Sequence, residues 1–479
     1  IAVPIDALLE PEDVEGIIRT SEIKMLCYSK KHEEIVQRLI PQLPGVSYLA
    51  IDEPDANGNS SIESYQSVVS RHIDAELPKP ESIAKDDAAS IIFTSGTTGL
   101  AKGVTLTHHG IIANINASIQ SLPIDEHDVF MCVLPLHHTY PTTCSFLSPI
   151  SVGASITICE KLVGKVILDD VRDSGGTIII AVPLLYDKVK EGLEANFKSQ
   201  PFPVRTLISV LMGLSRFFRK LHIPFGKVAL KSIREKAGLA TIRLLVAGGV
   251  PLNYKTVQFF DDLGFYIVQG YGMSENGPLI TTNTMKYKNN KSAGLVVKNT
   301  EIRIDDPNEE GIGEIVVRSP SLMKGYFGNP EATKQAFTED GFLKTGDLGR
   351  FDKKGYLYIT GRIKSLIVTR GGKNIYPEEI EQKFEGSRKI QEILVLGRKG
   401  KGGEDIVAIC YPNYDALKED NPGVEITKDF AYEKVKEEIL KVNRTLPAYK
   451  KISDFIVRDE EFEKTSSKKI KRYLYTEFK

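Results

Sequence analysis

The chain has 479 residues, a formal net charge of −1, 41% hydrophobic residues and 26% charged residues. A chain of this length exceeds the size at which one hydrophobic core keeps growing, so we expect two or more domains. The near-zero charge argues against a general nucleic-acid-binding protein. The five cysteines show no C-x-x-C spacing, which is typical of free thiols in a reducing compartment without structural zinc. No apolar run is long enough to span a bilayer, and no secretory signal is visible.

The amino-terminal part reads as a strand, a helix and a strand, followed by a polar connection. Apolar residues at 1–5 and 23–28 favour strands, and Pro11 opens a helix between them. Residues 52–88 are polar and contain several proline, asparagine and serine residues, so we predict a loop and linker there.

The run from Ile91 to Gly103 reads I-I-F-T-S-G-T-T-G-L-A-K-G. Glycines let the backbone approach a ligand closely, and a concave set of N–H groups binds anions. The hydroxyl groups and the lysine add donors and a charge suited to phosphate. The spacing differs from that of the P-loop, and a plain surface loop is the alternative. We predict a phosphate cradle between a strand and a helix, made of Thr94, Ser95, Gly96, Thr97, Thr98, Gly99 and Lys102.

This run resembles the T-S-G-T-T-G-x-x-K-G signature of the AMP-forming adenylate enzymes, a superfamily that includes acyl-CoA synthetases. The resemblance recurs along most of the chain and starts in the middle of the family's first subdomain, which implies that amino-terminal units are missing. It implies an α/β fold. A large domain of mostly parallel sheets with helices on both faces would span residues 1–361, and a small, mobile α+β domain would span 362–479. ATP, Mg²⁺ and CoA are the implied cofactors and co-substrate.

A histidine pair follows a buried-type strand in the run L-P-L-H-H at 134–138. From the residues alone, a metal site and a packed core histidine both remain open, although no third ligand lies nearby in sequence. The resemblance to the family's L-P-L-F-H stretch implies that His138 lies at the mouth of the acyl pocket as a catalytic residue. By the same match, His137 replaces an aromatic residue and Pro141 replaces a frequent glycine.

Strands and helices alternate from residue 155 to 189, which predicts a largely parallel, two-faced sheet. Residues 203–238 interrupt this alternation with a basic stretch in which apolar residues recur at helical spacing. The predicted apolar face is Leu207, Leu211, Leu214, Phe218 and Leu221. The segment 205–236 could contact a membrane peripherally, or it could pack on the domain with a solvated basic face. A helical segment at this place resembles the long-chain fatty acyl-CoA synthetase branch, and it favours a fatty acid over an aryl acid.

Two glycine-rich stretches, G-G-V-P-L at 248–252 and G-Y-G-M-S-E at 270–275, each follow a predicted strand. Open α/β sheets bind ligands at this carboxyl edge, although a plain turn before a helix is the alternative for the second stretch. Tyr271 offers a face to adenine, Ser274 a donor to the α-phosphate and Glu275 a hard oxygen to Mg²⁺. The second stretch also resembles the family's Y-G-x-T/S-E motif. The predicted nucleotide-binding residues are Gly248, Gly249, Val250, Gly270, Tyr271, Gly272 and Ser274. Glu275 is a predicted catalytic residue and, with Thr94, a predicted metal ligand.

Short alternating strands from residue 300 to 361 predict a small β-barrel-like subdomain. Asp347 follows Thr-Gly at a strand end, where a carboxylate can accept both ribose hydroxyls, as acidic residues do in other nucleotide-binding folds. A solvated turn aspartate is the alternative. The resemblance to the family's T-G-D signature favours ribose binding by Asp347.

The resemblance assigns the remaining site residues in the hinge and the small domain. Arg362 would reach the ribose or a phosphate, Lys364 would sit at the pivot, and Gly371 would lie beside the pantetheine arm of CoA. The basic tail resembles the family's P-K-T-x-x-G-K-I ending, which implies that Lys469 is catalytic for adenylation. Lys468 occupies the glycine position, so a register shifted by one residue stays open. By composition alone, this tail is solvated.

The resemblance implies a ligase that activates a carboxylic acid, with a long-chain fatty acid favoured, to an acyl-adenylate and then transfers the acyl group to CoA. Two alternatives stay open. One is a ligase for aryl or other acids, or one that loads a carrier protein, and the other is a non-catalytic nucleotide-binding paralogue. We expect a cytoplasmic protein, with contact at the inner membrane face through residues 205–236 as an option. Its expected partners are small molecules and not nucleic acid, and the sequence predicts no oligomeric state.

Overall fold

The computed structural model describes residues 1–52, 62–76, 82–94, 102–161, 163–221, 223–369, 373–400, 403–464 and 470–475. The strands in chain order are β1 (Met25–Tyr28), β2 (Ser47–Ala50), β3 (Ile62–Ser64), β4 (Ala88–Thr94), β5 (Lys102–Thr107), β6 (Val129–Cys132), β7 (Ser155–Ile158), β8 (Ile178–Ala181), β9 (Leu244–Ala247), β10 (Ile267–Gly272), β11 (Leu279–Thr282), β12 (Leu295–Val296), β13 (Glu301–Asp305), β14 (Gly313–Arg318), β15 (Gly325–Tyr326), β16 (Leu343–Phe351), β17 (Leu357–Arg362), β18 (Ile367–Val368), β19 (Asn374–Ile375), β20 (Ile390–Gly400), β21 (Gly403–Pro412) and β22 (Asp454–Val457).

The α-helices in chain order are α1 (Pro11–Ser21), α2 (Glu33–Leu39), α3 (Tyr65–His72), α4 (His108–Ser121), α5 (Thr139–Pro141), α6 (Ser148–Val152), α7 (Gly164–Ser174), α8 (Pro183–Ser199), α9 (Phe202–Lys220), α10 (Phe225–Ala229), α11 (Lys231–Lys236), α12 (Tyr254–Asp262), α13 (Pro330–Ala336), α14 (Pro377–Glu381), α15 (Tyr414–Asp420) and α16 (Lys428–Asn443).

The amino-terminal unit is a three-stranded parallel sheet, β1-β2-β3, packed with α1 and α2. The linker predicted for 52–88 is wrong in part, because β3 and α3 lie within it. Ser64 explains the helix start, since its side chain accepts a hydrogen bond from the Ser67 amide at 3.1 Å and so caps α3. The strand predicted at residues 1–5 is reduced to an isolated bridge between Ala2 and Ser90.

The central sheet has the order β12-β11-β10-β9-β8-β6-β7. Its strands from β7 to β10 pair in parallel, and β11 and β12 add two antiparallel strands, so the largely parallel sheet predicted from sequence is confirmed. Alternate residues of each strand point to opposite faces. Ile179 on β8 packs in the core that α7, α8 and α12 cover, whereas Ile178 and Ile180 join a second cluster on the other face.

A second sheet, β15-β5-β4, is antiparallel, and it corrects the predicted setting of the phosphate cradle. Thr94 ends β4, Lys102 begins β5, and the two residues pair across the strands. The run therefore joins two strands rather than a strand and a helix, because buried Val104 and Leu106 continue the sheet after the glycines. Thr107 caps α4, since its hydroxyl accepts a hydrogen bond from the Gly110 amide at 3.0 Å.

The β-rich part that follows is a four-stranded antiparallel sheet with the order β13-β14-β16-β17. The barrel-like form predicted for this part is wrong, because the sheet is open, with β13 and β17 at its edges. Its four strands are well below the roughly eight at which a closed barrel has an interior just wide enough for side chains.

The carboxyl-terminal unit combines the hairpin β20–β21, a parallel strand β22 and helices α14 to α16. Its core includes Ile380, Val395 and Val435. Tyr376 at its start packs in a cluster with Ile312 and Leu348 of the β-rich sheet. The large amino-terminal part and small α+β part predicted from sequence are therefore both present, and the predicted boundary between residues 361 and 362 remains a prediction.

Candidate active site

One cleft of about 2410 Å³ runs along the carboxyl edge of the central sheet and between the large and small parts of the chain. The predicted site residues that line it are Thr94, Lys102, His138, Gly248, Gly249, Val250, Gly270, Tyr271, Gly272, Ser274, Glu275, Asp347, Arg362 and Lys364. The other predicted residues, Ser95, Gly96, Thr97, Thr98, Gly99, Gly371 and Lys469, lie outside the described residues. Lys464 and Ile470, which bracket the segment that contains Lys469, both line the same cleft and form an isolated antiparallel bridge.

Asp347 is the buried acid of the cleft, with a side chain that is 7% exposed. The predicted strand end is wrong, because Asp347 lies within β16, where the Thr345 hydroxyl accepts a hydrogen bond from the Asp347 amide at 3.0 Å. The Tyr271 hydroxyl donates to Oδ2 of Asp347 at 2.7 Å. Arg362 lies on the neighbouring strand β17, directly opposite Asp347, and its Nε is 2.8 Å from Oδ1. A carboxylate has about four lone-pair positions, so two remain for a ligand.

Tyr271 is held as a neutral donor. Burial raises the pKa of Tyr271 well above its ordinary value, and the negative charge of Asp347 adds to the effect. The phenol therefore keeps its proton throughout the physiological pH range.

Glu275 is linked to Lys102 through a residue that sequence reasoning missed. The Tyr326 hydroxyl donates to Oε1 of Glu275 at 2.9 Å, and the Lys102 ammonium lies 5.0 Å from the centre of the Tyr326 ring. Tyr326 belongs to β15, which pairs with β5, so it connects the cradle strand to the strand end that carries Glu275. No local pattern marks this tyrosine, because both of its contacts come from distant segments.

Close approach of a backbone strand or an aromatic ring explains three of the glycines that line the cleft. A Cβ at Gly272 would lie 2.1 Å from the Pro278 carbonyl oxygen, and one at Gly270 would lie 3.1 Å from that of Thr281. A Cβ at Gly248 would lie 2.7 Å from Cζ of Tyr140. Any larger residue at these positions would push into a backbone strand or an aromatic ring.

Asn114 of α4, which is fully buried, fixes the turn that follows Glu275. Its amide nitrogen donates to the carbonyls of Asn276 at 2.9 Å and Leu279 at 3.1 Å, and its oxygen accepts from the Leu279 amide at 3.1 Å. Asn114 was also missed in the sequence, because an asparagine inside a predicted helix gives no hint of its partners.

His138 lines the cleft beside His137, and an acid from the amino terminus joins them. The two Nε2 atoms are 3.1 Å apart, and Nε2 of His137 is 3.3 Å from Oδ2 of Asp6. Burial lowers the pKa of His137, and Asp6 partly offsets this effect. No group of three or more histidine, cysteine or acidic side chains among the described residues could hold a metal ion, so the structure gives no support to the metal reading of the pair.

An apolar chamber extends the cleft across one face of the central sheet. Its walls include Phe130, Ile178, Ile180, Leu244 and Val246, which line the cleft and form one buried cluster. Tyr140 lines the chamber beside Gly248 and packs against the same cluster. The polar part of the cleft therefore continues directly into a space suited to a hydrocarbon chain.

A sequence comparison decides the family. The sequence model of the family described as AMP-binding enzyme matches residues 1–327. The chain belongs to this family. The family membership predicted from the T-S-G-T-T-G run is thereby confirmed.

Two relatives of this AMP-binding enzyme are long-chain-fatty-acid ligases by name. Long-chain-fatty-acid–CoA ligase FadD15 of Mycobacterium bovis is 30% identical over 417 residues, which cover 83% of this chain and 67% of that protein. Long-chain-fatty-acid–[acyl-carrier-protein] ligase AEE15 of Arabidopsis thaliana, a chloroplastic protein, is 27% identical over 470 residues. That match covers 86% of this chain and 62% of the relative, so the chain spans less than two thirds of AEE15.

A solved structure confirms the fold. ATP-bound MatB from Rhodopseudomonas palustris superposes with a TM-score of 0.73 and 22% identity, over 99% of this chain and 82% of that one. At this level of identity, the likeness shows the α/β fold alone.

Proposed function

We propose that this AMP-binding enzyme joins a carboxylic acid to CoA in two steps, through an acyl-adenylate, and that the acid is a long-chain fatty acid. The observation that carries the proposal is the convergence of Lys102, Glu275 and Asp347 on one cleft that opens into an apolar chamber. A nucleotide in the polar part and an acyl chain in the apolar chamber would thus have the α-phosphate and the carboxylate next to each other.

ATP is the proposed ligand of the polar cleft. Asp347 would accept the ribose hydroxyls with the lone pairs that Tyr271 and Arg362 leave free. The Tyr271 ring would stack on adenine, beside the backbone of Gly248, Gly249, Val250, Gly270 and Gly272. Ser274 and the cradle from Thr94 to Lys102 would donate to the phosphates.

Glu275 fits Mg²⁺ as a single carboxylate ligand, with the Thr94 hydroxyl as a second oxygen. Mg²⁺ in such sites is bound through one or two carboxylates together with substrate phosphates and waters, so no larger acidic cluster is needed. When bound, it would neutralise charge on the phosphates. Tyr326 would hold the Glu275 carboxylate in place for this role.

In the first step, a carboxylate oxygen attacks the α-phosphorus in line, the bond to the β-phosphate oxygen breaks, and pyrophosphate leaves. No covalent bond to the enzyme forms, so the protein supplies position and charge stabilisation. We propose Lys469 for the charge that grows on the reacting groups and His138 for the mouth of the acyl chamber.

In the second step, the CoA sulfur attacks the acyl carbon as a thiolate, a C–S bond forms, and the C–O bond to AMP breaks. The small domain would turn about Lys364, withdraw Lys469 and bring Gly371 beside the pantetheine arm. Closure and rotation of this kind occur at short hinge segments, and here the turn at Ile363–Ser365 follows β17.

Lys469→Ala tests the division of labour, because it should abolish pyrophosphate release yet leave conversion of a supplied acyl-adenylate to its thioester. An equal loss of both half-reactions would contradict that division. If Lys468→Ala behaves this way instead, the catalytic position is one residue earlier.

The acid is tested by chain length. Each buried methylene contributes about 0.8 kcal/mol, so a hydrocarbon chamber favours long acids over short or aryl acids. An acid panel with ATP and CoA should therefore show turnover that rises with chain length. Val246→Phe fills the chamber and should shift the preference to shorter acids, whereas Val228→Phe, at a side chain that is 77% exposed, should leave it unchanged. A preference for aryl acids in the unsubstituted chain would exclude the fatty-acid proposal.

A carrier protein is the second candidate acceptor, favoured by the similarity to AEE15, whose name gives an acyl-carrier-protein ligase. Thioester formation with CoA and with acyl-carrier protein, measured side by side, separates the two acceptors. A non-catalytic nucleotide-binding paralogue would release no pyrophosphate with any acid while the chain is properly folded.

We further propose a cytoplasmic location, small-molecule substrates and no nucleic-acid partner, with peripheral membrane contact through residues 205–236 as an option. No helix in the described part of the chain is long and apolar enough to cross a bilayer.

A further inference from the structure

Helix α9 carries a stripe of exposed apolar side chains. Leu207, Val210, Leu214, Phe217 and Leu221, which directly follows the helix, are between 41% and 58% exposed. Their spacing of three and four residues places them on one face. This face differs from the predicted one, because Leu211 and Phe218 turn partly inward and Leu211 packs against the main core.

The helix is fixed to the domain by its other side, where Ile208 and Ser215 are buried. Arg216 and Arg219 form ion pairs with Asp262, a residue of α12 that is fully buried. Packing and buried charges therefore hold α9 in place with the stripe facing outward. A helix held only by its apolar side would instead bury that stripe.

The surroundings of the stripe are basic. Segment 202–236 contains eight lysine and arginine residues and one acidic residue, Glu235, in a chain whose total formal charge is −1. Arg216 and Arg219 are paired with Asp262 and Arg234 is buried, which leaves five basic side chains for the surface. Arg205 and Lys220 lie on the exposed polar side of α9, and Lys227 is exposed in the following helix. The stripe itself contains no charged residue.

We propose that α9 lies on an anionic lipid surface, with Leu207, Val210, Leu214, Phe217 and Leu221 inserted at the headgroup boundary. Anionic membranes bind helices that combine an apolar stripe with lysine and arginine side chains. The stripe is buried at the boundary of the hydrocarbon region, and the basic side chains pair with the anionic headgroups. A second copy of the chain is a poorer occupant, because a symmetric contact would bring two strongly basic segments together.

This proposal extends the peripheral contact named above by assigning it to one helix face. It is independent of ligase activity, because binding is measured without acid, ATP or CoA.

The test is sedimentation of the full chain with vesicles of phosphatidylcholine alone or mixed with phosphatidylserine. We expect binding to the anionic vesicles that weakens as salt is added. Leu214→Ser combined with Phe217→Ser should reduce it by about tenfold, because binding scales with buried apolar area. Arg205→Glu combined with Lys220→Glu should reduce it and flatten the salt dependence.

The matched control is Ile158→Ser combined with Leu440→Ser, at side chains that are 67% and 51% exposed and lie away from α9. It should bind as the unsubstituted chain does. Absence of binding to anionic vesicles, or full binding by the stripe variant, would overturn the proposal. So would sedimentation of the chain as a dimer that the stripe variant dissociates, since a second copy would then cover the face.

Discussion

The Tyr271 hydroxyl donates a hydrogen bond of 2.7 Å to Oδ2 of Asp347, which joins the end of β10 in the central sheet to β16 in the β-rich sheet. Arg362 holds the other oxygen of the same carboxylate. The bond therefore crosses between two sheets inside the cleft, and it positions the ring and the acid that we propose for adenosine.

We expect Asp347→Asn to raise the KM for ATP by about tenfold to a hundredfold, because hydrogen bonds to a charged group contribute about 1.5–3 kcal/mol. Tyr271→Phe keeps the aromatic ring and removes only the donor, so its effect on the KM should be smaller. Pyrophosphate release at varied ATP measures both. A larger effect of Tyr271→Phe would mean that the hydroxyl itself contacts the nucleotide.

Tyr326→Phe should lower kcat/KM by about tenfold without changing the thermal midpoint, because Oε1 of Glu275 loses its donor. Burial and the charge of Glu275 raise the pKa of Tyr326, so the hydroxyl is a permanent donor in the folded protein. Tyr254→Phe, at a side chain that is 46% exposed, is the control. Unchanged kcat/KM in Tyr326→Phe would show that Glu275 needs no support from this residue.

Asn114→Ala should lower the free energy of unfolding by about 3 kcal/mol, since it removes the side-chain partners of the Asn276 carbonyl and the Leu279 amide and one of two side-chain donors to the Leu279 carbonyl. Chemical denaturation of the variant and of the unsubstituted protein measures this loss. Asn421→Ala removes a single hydrogen bond, from the Asn421 amide nitrogen to the Leu417 carbonyl, and should cost far less. Equal losses would mean that the turn after Glu275 is held by other contacts.

Stability should depend on pH through Glu381. Burial raises the pKa of Glu381 to about 7, although Arg472 opposes this effect. Between the ordinary value of 4.5 and about 7, the unfolded chain ionises while the folded chain keeps its proton. The free energy of unfolding therefore falls as the pH rises through this window, and below it the contribution is fully present.

Glu381→Gln stays neutral in both states, so its stability relative to the unsubstituted chain should increase by about 3 kcal/mol across the same window. Denaturant midpoints at several pH values measure the difference. Burial also raises the pKa of Glu385 to about 7. Because Glu385 is present in both chains, its contribution cancels from the difference between them. The exposed Glu425→Gln is the control, and a difference between variant and unsubstituted chain that does not change with pH would contradict the prediction.

Local motifs picked out polar residues from separate segments that line the same cleft, although Asp347 lies within β16 and not at a strand end. Lys102, Glu275 and Asp347 lie far apart in sequence and line one cleft. Tyr326 and Asp6 were missed, since their roles depend on which distant segments meet.

Hydrophobic spacing predicted helices and strands, but it did not predict which other elements they pack against. The period at 203–238 predicted a helical face, yet the side that packs inward is set by the buried Asp262, which no helical pattern reveals. Alternation at 300–361 predicted strands, but closure into a barrel depends on strand number and tilt. The cradle was predicted between a strand and a helix, whereas the described residues on either side of it belong to two paired strands, β4 and β5.

The contact between Gly248 and Tyr140 links two positions that no motif connects. Because a Cβ at 248 would meet the tyrosine ring, a larger residue there must either displace that ring or be matched by a smaller residue at 140. Homologues adapted to acids of other shapes should therefore have exchanged both residues together. A smaller residue at 140 alone would leave a void beside Gly248, whereas a larger residue at 248 alone would clash with the Tyr140 ring.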